Sequence, residues 1–307
     1  MAYIYQLGIV PFYSKTLVYG TVLKGSHDPA DNPHGTVANF FAVIGSYFQK
    51  PYANRKVLVK TSEKTYEITT DEKGGFHCLL DTLITEPVSF SNNDGSDIPV
   101  PQEYPVLFNH ENPKISVISD VDDTILVSYT RNIYKRVKTM LFRSPRRRKS
   151  ISFTLRILRE VAQREGRVYY VSKSEGNLFI MISSFFMNHE VPNGALFLTP
   201  YLRYSQLLNP NKGKFYKEQR ISEIIENSPG QHFVLMGDDT QQDIMVYEKI
   251  SRKFPEQVLK IYIRKTLREL SPSKSEELEK LDASPVPVHY FSDTDDPEDE
   301  IKVLDNI

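Results

Sequence analysis

The sequence predicts an α/β protein in two parts, a small β-sandwich followed by a doubly wound parallel sheet. Three observations carry this expectation. Up to about residue 112 the apolar segments are short, rich in Val, Tyr and Thr, and punctuated by turn residues. From Ile115 onward, apolar strands alternate with helical segments, as in a parallel sheet covered on both faces. The chain also has 307 residues, long for one core, so two domains are the natural expectation.

Taken in order, "LVYGTVLKG" (17–25), "KVLVKT" (56–61), "TYEITT" (65–70) and "FHCLLD" (76–81) read as strands, with "DEKGG" (71–75) as a turn. "VANFFAVIGSYF" (37–48) fits a helix or a buried strand, and its periodicity does not decide between them. "SFSNNDGSDIPVPQEYP" (89–105) is rich in Ser, Asn, Asp and Pro and reads as a loop toward the boundary. These segments make up a β-rich domain at 1–112.

A second domain is expected at 113–270. Its strands are "ISVIS" (115–119), "RVYYVS" (167–172), "ALFLT" (195–199), "HFVLMG" (232–237) and "LKIYI" (259–263). Helices are expected over 153–166, 177–190, 217–228 and 244–254, and the Rossmann-like strand order is 5-4-1-2-3. Residues 271–307 form an extension. Its "SDTDDPEDE" (292–300) is acidic and poor in apolar residues, and reads as solvated and flexible.

Composition narrows the function classes. The net charge of -1 provides no global attraction to nucleic acid or membrane, so any such attraction needs a local patch. The single cysteine, Cys78, excludes an internal disulfide and suits a reducing, cytoplasmic setting. The start "MAYIYQLGIVPFYSK" lacks the basic region of a signal peptide, and no run approaches the roughly eighteen apolar residues of a membrane span. The seven histidines show no zinc-ligand spacing.

The first strand of the second domain ends in Asp120, Asp122 and Asp123. Crowded like charges repel, and buried carboxylates are costly unless paired or bound to metal. Asp is common in surface turns, but the order D-x-D-x-T, ending at Thr124, exceeds what a turn requires. Spacing of two in extended chain puts Asp120 and Asp122 on one side. There one carboxylate attacks phosphorus while the other protonates the leaving oxygen. Ser172 closes the second strand, where its hydroxyl suits a phosphoryl oxygen or a helix cap. Lys217 opens a helix and suits phosphate charge, or is an ordinary surface lysine. "LMGDDTQQD" ends the fourth strand with Asp238, Asp239 and Asp243, a hard-oxygen set suited to Mg²⁺. Asp239 is expected to be solvated or to orient a neighbour.

Taken together, "SDVDDTI" (119–125), "EVPNGALFL" (190–198) and the block 221–264 resemble the haloacid dehalogenase-like phosphatases. The closer resemblance is to the catalytic domain of the actin-patch-protein type phosphatidate phosphatases, over roughly 112–266. The resemblance implies Asp120 as nucleophile through an aspartyl-phosphate, with Asp122 as general acid and then base. It further implies Thr124 as loop support, Ser172 and Lys217 as phosphoryl holders, and Mg²⁺ on Asp120, Asp238, Asp243 and the Asp122 carbonyl. The family reads "SNSPW" after the second strand, where this chain reads "SKSEGN" (172–177), with a new charge at Lys173.

Fewer than twenty residues separate the third strand from Lys217, which excludes a large cap domain. A basic insert, "TRNIYKRVKTMLFRSPRRRKS" (130–150), stands before the first helix instead. Its apolar positions fit one helical face, which either packs on the domain or lies on an anionic membrane. In the second case Arg143, Arg146, Arg147, Arg148 and Lys149 are the peripheral contacts. The expected activity is a Mg²⁺-dependent phosphomonoesterase on a lipid phosphate. The alternatives are a phosphatase for a soluble or nucleic-acid phosphate, or an inert scaffold with a partner-binding β domain. Nucleic acid is disfavoured because few aromatics interleave the basic residues.

Overall fold

A computed structural model describes residues 1–25, 45–108, 113–121, 124–125, 150–201, 215–239, 242–267, 271–292 and 294–304. Two compact units result. One comprises Met1–Asn109, Ser174–Glu190 and Leu198–Lys212; the other comprises His110–Lys173, Val191–Phe197 and Gly213–Ile307.

The first unit holds β1 (Ala2–Pro11), β2 (Thr16–Lys24), β3 (Lys56–Lys60), β4 (Thr65–Thr69), β5 (Gly75–Leu80) and β6 (Ser89–Asn92). They form two antiparallel three-stranded sheets, β1-β2-β5 and β4-β3-β6. Ile4, Ile9, Val18 and Val22 of one sheet share an apolar core with Val57, Val59, Ile68 and Phe90 of the other. Two strands depart from the sequence expectation. β1 is buried at all ten positions, so it lacks the alternation of a half-exposed strand. β6, read as loop, is four residues long and pairs with β3 from Val57 to Lys60. The "DEKGG" turn forms as expected. Asp71 Oδ1 accepts from the amides of Lys73 (2.7 Å) and Gly75 (2.8 Å), and Gly74 takes φ +76°.

The same unit contains a 3₁₀ turn (Gly176–Leu178) and α2 (Phe179–Asn188). Tyr5 ties them to β1: its hydroxyl donates to the Asn177 carbonyl at 3.0 Å, and its ring meets Phe179 edge-on. Aromatic edges of this kind add about 1 kcal/mol beyond burial. Most of the 37–48 segment, expected as helix or strand, lies outside the described residues.

A third sheet, of six strands, has the order β12-β11-β10-β7-β8-β9. Its strands are β7 (Ile115–Ser119), β8 (Arg167–Glu175), β9 (Ala195–Thr199), β10 (His232–Asp238), β11 (Val258–Arg264) and β12 (Val288–Phe291). The pairings β7–β8, β7–β10, β10–β11 and β11–β12 are parallel. Burial at all five positions of β7 and of β9 explains why they lack the alternation of charged and apolar residues seen in half-exposed strands. The helices of the second unit are α1 (Ser150–Gln163), α3 (Tyr216–Glu226), α4 (Asp243–Lys253), α5 (Pro272–Asp282) and α6 (Glu298–Leu304).

The stretch after residue 270, which composition reads as flexible, contributes α5, β12 and α6. Ser271 caps α5 through the Lys274 amide, with Pro272 at the first helical position. Phe291 of β12 stacks on Phe153 of α1 with centroids 4.1 Å apart. The acidic residues find partners. Arg156 reaches Asp296 at 2.8 Å and also meets Glu298, while Glu300 pairs with Lys260 and accepts from Tyr262 at 2.7 Å. Charge pairing and aromatic stacking on Phe153 thus offset the low apolar content.

Among the described residues, no helix is long and apolar enough to cross a membrane. The basic residues Arg143, Arg146, Arg147, Arg148 and Lys149 lie outside the described residues, as does Asp122.

Candidate active site

Three adjacent strands run in register to the end of β7, and β8 continues through Ser172 to Glu175 rather than closing at the serine. Ser119, the last residue of β7, pairs with Tyr170 of β8 on one side and Met236 of β10 on the other. The next residues along these strands are Asp120, Val171–Ser172 and Gly237–Asp238. The Asp120 amide donates to the Met236 carbonyl at 2.8 Å, which extends the ladder by one bond and fixes the aspartate at the strand end. Carboxyl ends of parallel strands are where such sheets bind ligands.

Two helix starts complete the cluster. Lys217 lies in the first turn of α3, and Asp243 is the first residue of α4. Lys217 Nζ stands 2.8 Å from Asp120 Oδ1 and 2.5 Å from Asp243 Oδ1, with the lysine side chain only 1% exposed. Burial lowers the Lys217 pKa, but the carboxylates of Asp120 and Asp243 more than offset this, so the net direction is upward. The ammonium is therefore held charged.

Asp120, Asp238 and Asp243 are all buried and offer carboxylate oxygens within 4.8 Å of one another. Three hard-oxygen donors this close repel strongly unless a cation lies among them, and the set fits a small divalent ion such as Mg²⁺. Gly237 makes room for the arrangement: a Cβ there would meet Asp243 Oδ2 at 2.7 Å and the Tyr247 ring at 2.8 Å. Tyr247 in turn donates to the Met236 carbonyl at 2.7 Å. Burial, followed by the charges of Asp243, Asp120 and Asp238, raises the pKa of this phenol well above its ordinary value.

Asp120, Lys217, Asp238 and Asp243 thus come together. Ser172 is fully buried and one strand over, two residues past the partner of Ser119. Thr124 follows in the turn after β7, closed by the Ile125 amide on the Val121 carbonyl at 3.1 Å. Its buried Oγ1 has no hydrogen-bond partner among the described residues. Asp239 is not solvated. It is 3% exposed, and its carboxylate accepts from the Thr266 amide at 3.0 Å and the Leu267 amide at 3.2 Å, which orients the chain after β11.

Three neighbours escaped the sequence reading. Tyr247 looks like ordinary helix core, and Gln242 carries no motif. Lys173 drew notice only as a new charge, yet its Nζ donates to Gln242 Oε1 at 2.7 Å, beside Asp243. For Gly237 the signal was present in the sequence: a glycine directly before paired aspartates marks a close backbone approach.

Comparison with known proteins gives matches that include these residues. Residues 115–265 match the family described as phosphatidate phosphatase APP1, catalytic domain. Phosphatidate phosphatase APP1 of Saccharomyces cerevisiae is 27% identical over 264 residues, 81% of this chain and 39% of that protein. An uncharacterised protein of Schizosaccharomyces pombe is 28% identical over 167 residues, 53% of this chain and 26% of that protein. The chain spans less than half the length of either relative. Among solved structures, the PilB minor pilin from Streptococcus sanguinis aligns at a TM-score of 0.32 and 10% identity. That alignment covers 99% of this chain and 76% of the pilin, and is too distant to bear on fold or function.

Proposed function

We propose, from the match of residues 115–265 to the catalytic-domain family of phosphatidate phosphatase APP1, that the chain is a Mg²⁺-dependent phosphomonoesterase acting on phosphatidate or a related lipid phosphate. The observation that carries the proposal is the buried contact of Lys217 with both Asp120 and Asp243, beside Asp238. In this reading 113–270 is a haloacid dehalogenase-like catalytic domain, and 1–112 a β-rich domain with a separate role.

Asp120 attacks phosphorus, forming an Asp120–phosphorus bond as the ester P–O bond breaks and its electron pair leaves with the alcohol oxygen. Asp122 gives that oxygen a proton, then takes one from the water that hydrolyses the aspartyl-phosphate. Lys217 and Ser172 hold the phosphoryl oxygens, and Thr124 supports the loop that follows β7. Asp120, Asp238 and Asp243, with the Asp122 carbonyl, would hold Mg²⁺, whose charge neutralises the phosphoryl group when bound. The basic insert gives the protein a peripheral contact with an anionic membrane.

The test is phosphate release from a panel of lipid, nucleotide, sugar and protein phosphates, with and without Mg²⁺. Mg²⁺-dependent release with the lipid phosphate preferred supports the reading. Preference for a soluble ester removes the lipid assignment, and no release from any ester removes the enzyme.

A further inference from the structure

Among the described residues, the second unit exposes three large apolar side chains: Phe215 at 55%, Met245 at 40% and Leu267 at 40%. All three stand beside the carboxylate cluster. Phe215 precedes α3, two residues before Lys217, and Met245 lies two residues past Asp243 in the first turn of α4. The Leu267 amide donates at 3.2 Å to Asp239, the neighbour of Asp238. Each is thus tied to the same carboxyl end of the sheet. Exposed apolar residues scattered singly need no explanation, but a group confined to one end of a unit marks a contact surface.

Lys249 joins two of them. It lies one turn past Met245 on the exposed face of α4, and its Nζ is 5.9 Å from the centre of the Phe215 ring. The same ammonium pairs with Glu218 at 2.8 Å, so its charge keeps a partner when the face loses water. Apolar and aromatic side chains beside a lysine stem suit a lipid interface, with ring and methylenes inward and the ammonium at the headgroups. The substrate proposed above supplies the occupant, because the phosphate of phosphatidate sits at a bilayer surface with its acyl chains inside. For Asp120 to reach that phosphorus, the carboxyl end of the sheet must come down on the lipid. We propose that Phe215, Met245 and Leu267 form an apolar rim that enters the surface of a phosphatidate-bearing bilayer around the phosphoryl site. This rests on the phosphatidate reading above and gives it a docking surface separate from the basic insert.

The chain contains no tryptophan, so a single introduced tryptophan reports its own surroundings. Phe215→Trp, Met245→Trp and Leu267→Trp are read by fluorescence against vesicles of phosphatidylcholine and phosphatidate, plain and brominated in the acyl chains, with EDTA to withhold the metal. Glu256→Trp, in the turn before β11 at the opposite end of the sheet, is the control. The three rim probes should shift to the blue and be quenched by bromine, while the control does neither. Phe215→Ser should weaken vesicle binding about tenfold, for partial burial of one ring. That loss should persist at high salt, where attraction by the basic insert is screened. Rim probes that stay unshifted on vesicles would overturn the proposal. A blue shift that grows with protein concentration before lipid is added would also overturn it, and would assign the face to a second copy of the chain. Either result leaves the phosphatase reading standing if wild type with Mg²⁺ releases phosphate from dioctanoyl phosphatidate. No release, with the rim probes still inserted, would instead remove that reading and keep the rim as a lipid contact.

Discussion

Lys217 Nζ lies 2.8 Å from Asp120 Oδ1, with the two side chains 1% and 0% exposed. A charge pair so enclosed persists only where geometry repays the loss of water, and removing one partner leaves the other charge buried and unmatched. Lys217→Met should therefore abolish phosphate release and destabilise the second unit by about 3–5 kcal/mol. Adding Asp243→Asn should recover part of the stability and none of the activity, because it removes one of the stranded charges. Urea unfolding of the single and double variants checks this, and equal stability of Lys217→Met and wild type would refute it.

Gly237→Ala tests whether Asp243 needs its seat against β10. The added methyl meets Asp243 Oδ2 at 2.7 Å, so the carboxylate must move. Overpacking of this kind costs about 1–3 kcal/mol. The expected outcome is a weakened response of the melting temperature to Mg²⁺, with activity reduced in step. An unchanged Mg²⁺ titration of the melting temperature would place the ion elsewhere.

The C-terminal acidic residues should contribute stability with a definite pH dependence. Burial raises the Glu300 pKa, but hydrogen bonds from Lys260 and Tyr262 and the charges of Lys260 and His289 take it below its ordinary value of 4.5. A depressed carboxylate stabilises the fold above its unfolded value and loses that contribution as pH falls through the folded one. Glu300→Gln should thus lower stability by about 1 kcal/mol at neutral pH, with the difference fading as pH falls below 4.5. Parallel urea titrations at pH 7 and in acid read this directly, and a difference that persists in acid would contradict it.

The basic insert makes a separate, sequence-based prediction. If each charge near an anionic surface is worth on the order of 1 kcal/mol, replacing Arg146, Arg147 and Arg148 with Ala should weaken binding to phosphatidylserine vesicles by about two decades. Added salt should weaken the wild type similarly. Vesicle sedimentation that does not distinguish the variant from wild type would remove the insert as a membrane contact.

Much of the site was legible because its chemistry confines residue types to strand ends. The run 115–119 followed by Asp120, and Gly237 followed by Asp238, mark two adjacent strands by their abrupt change from apolar to acidic. The alternation of strands and helices carried the parallel sheet for the same reason: buried strands are apolar throughout. What was lost depends on tertiary partners. β1 hides because both of its faces are covered. β6 is too short and too rich in Ser and Asn to differ from a loop. β12 gains its place from the Phe291–Phe153 stack and from pairing with Ile261–Arg264, neither of which local composition records. Lys173 and Gln242 meet across 69 positions, and no spacing rule links them.

The central claim is that Asp120 is the nucleophile, and Asp120→Asn tests it most directly. An amide oxygen cannot form the aspartyl-phosphate, yet it has nearly the same shape and keeps an acceptor toward Lys217. Phosphate release from dioctanoyl phosphatidate with saturating Mg²⁺ should fall from a measurable wild-type rate to the uncatalysed background, while circular dichroism shows the fold retained. A folded Asp120→Asn protein that releases phosphate at the wild-type rate would contradict the account.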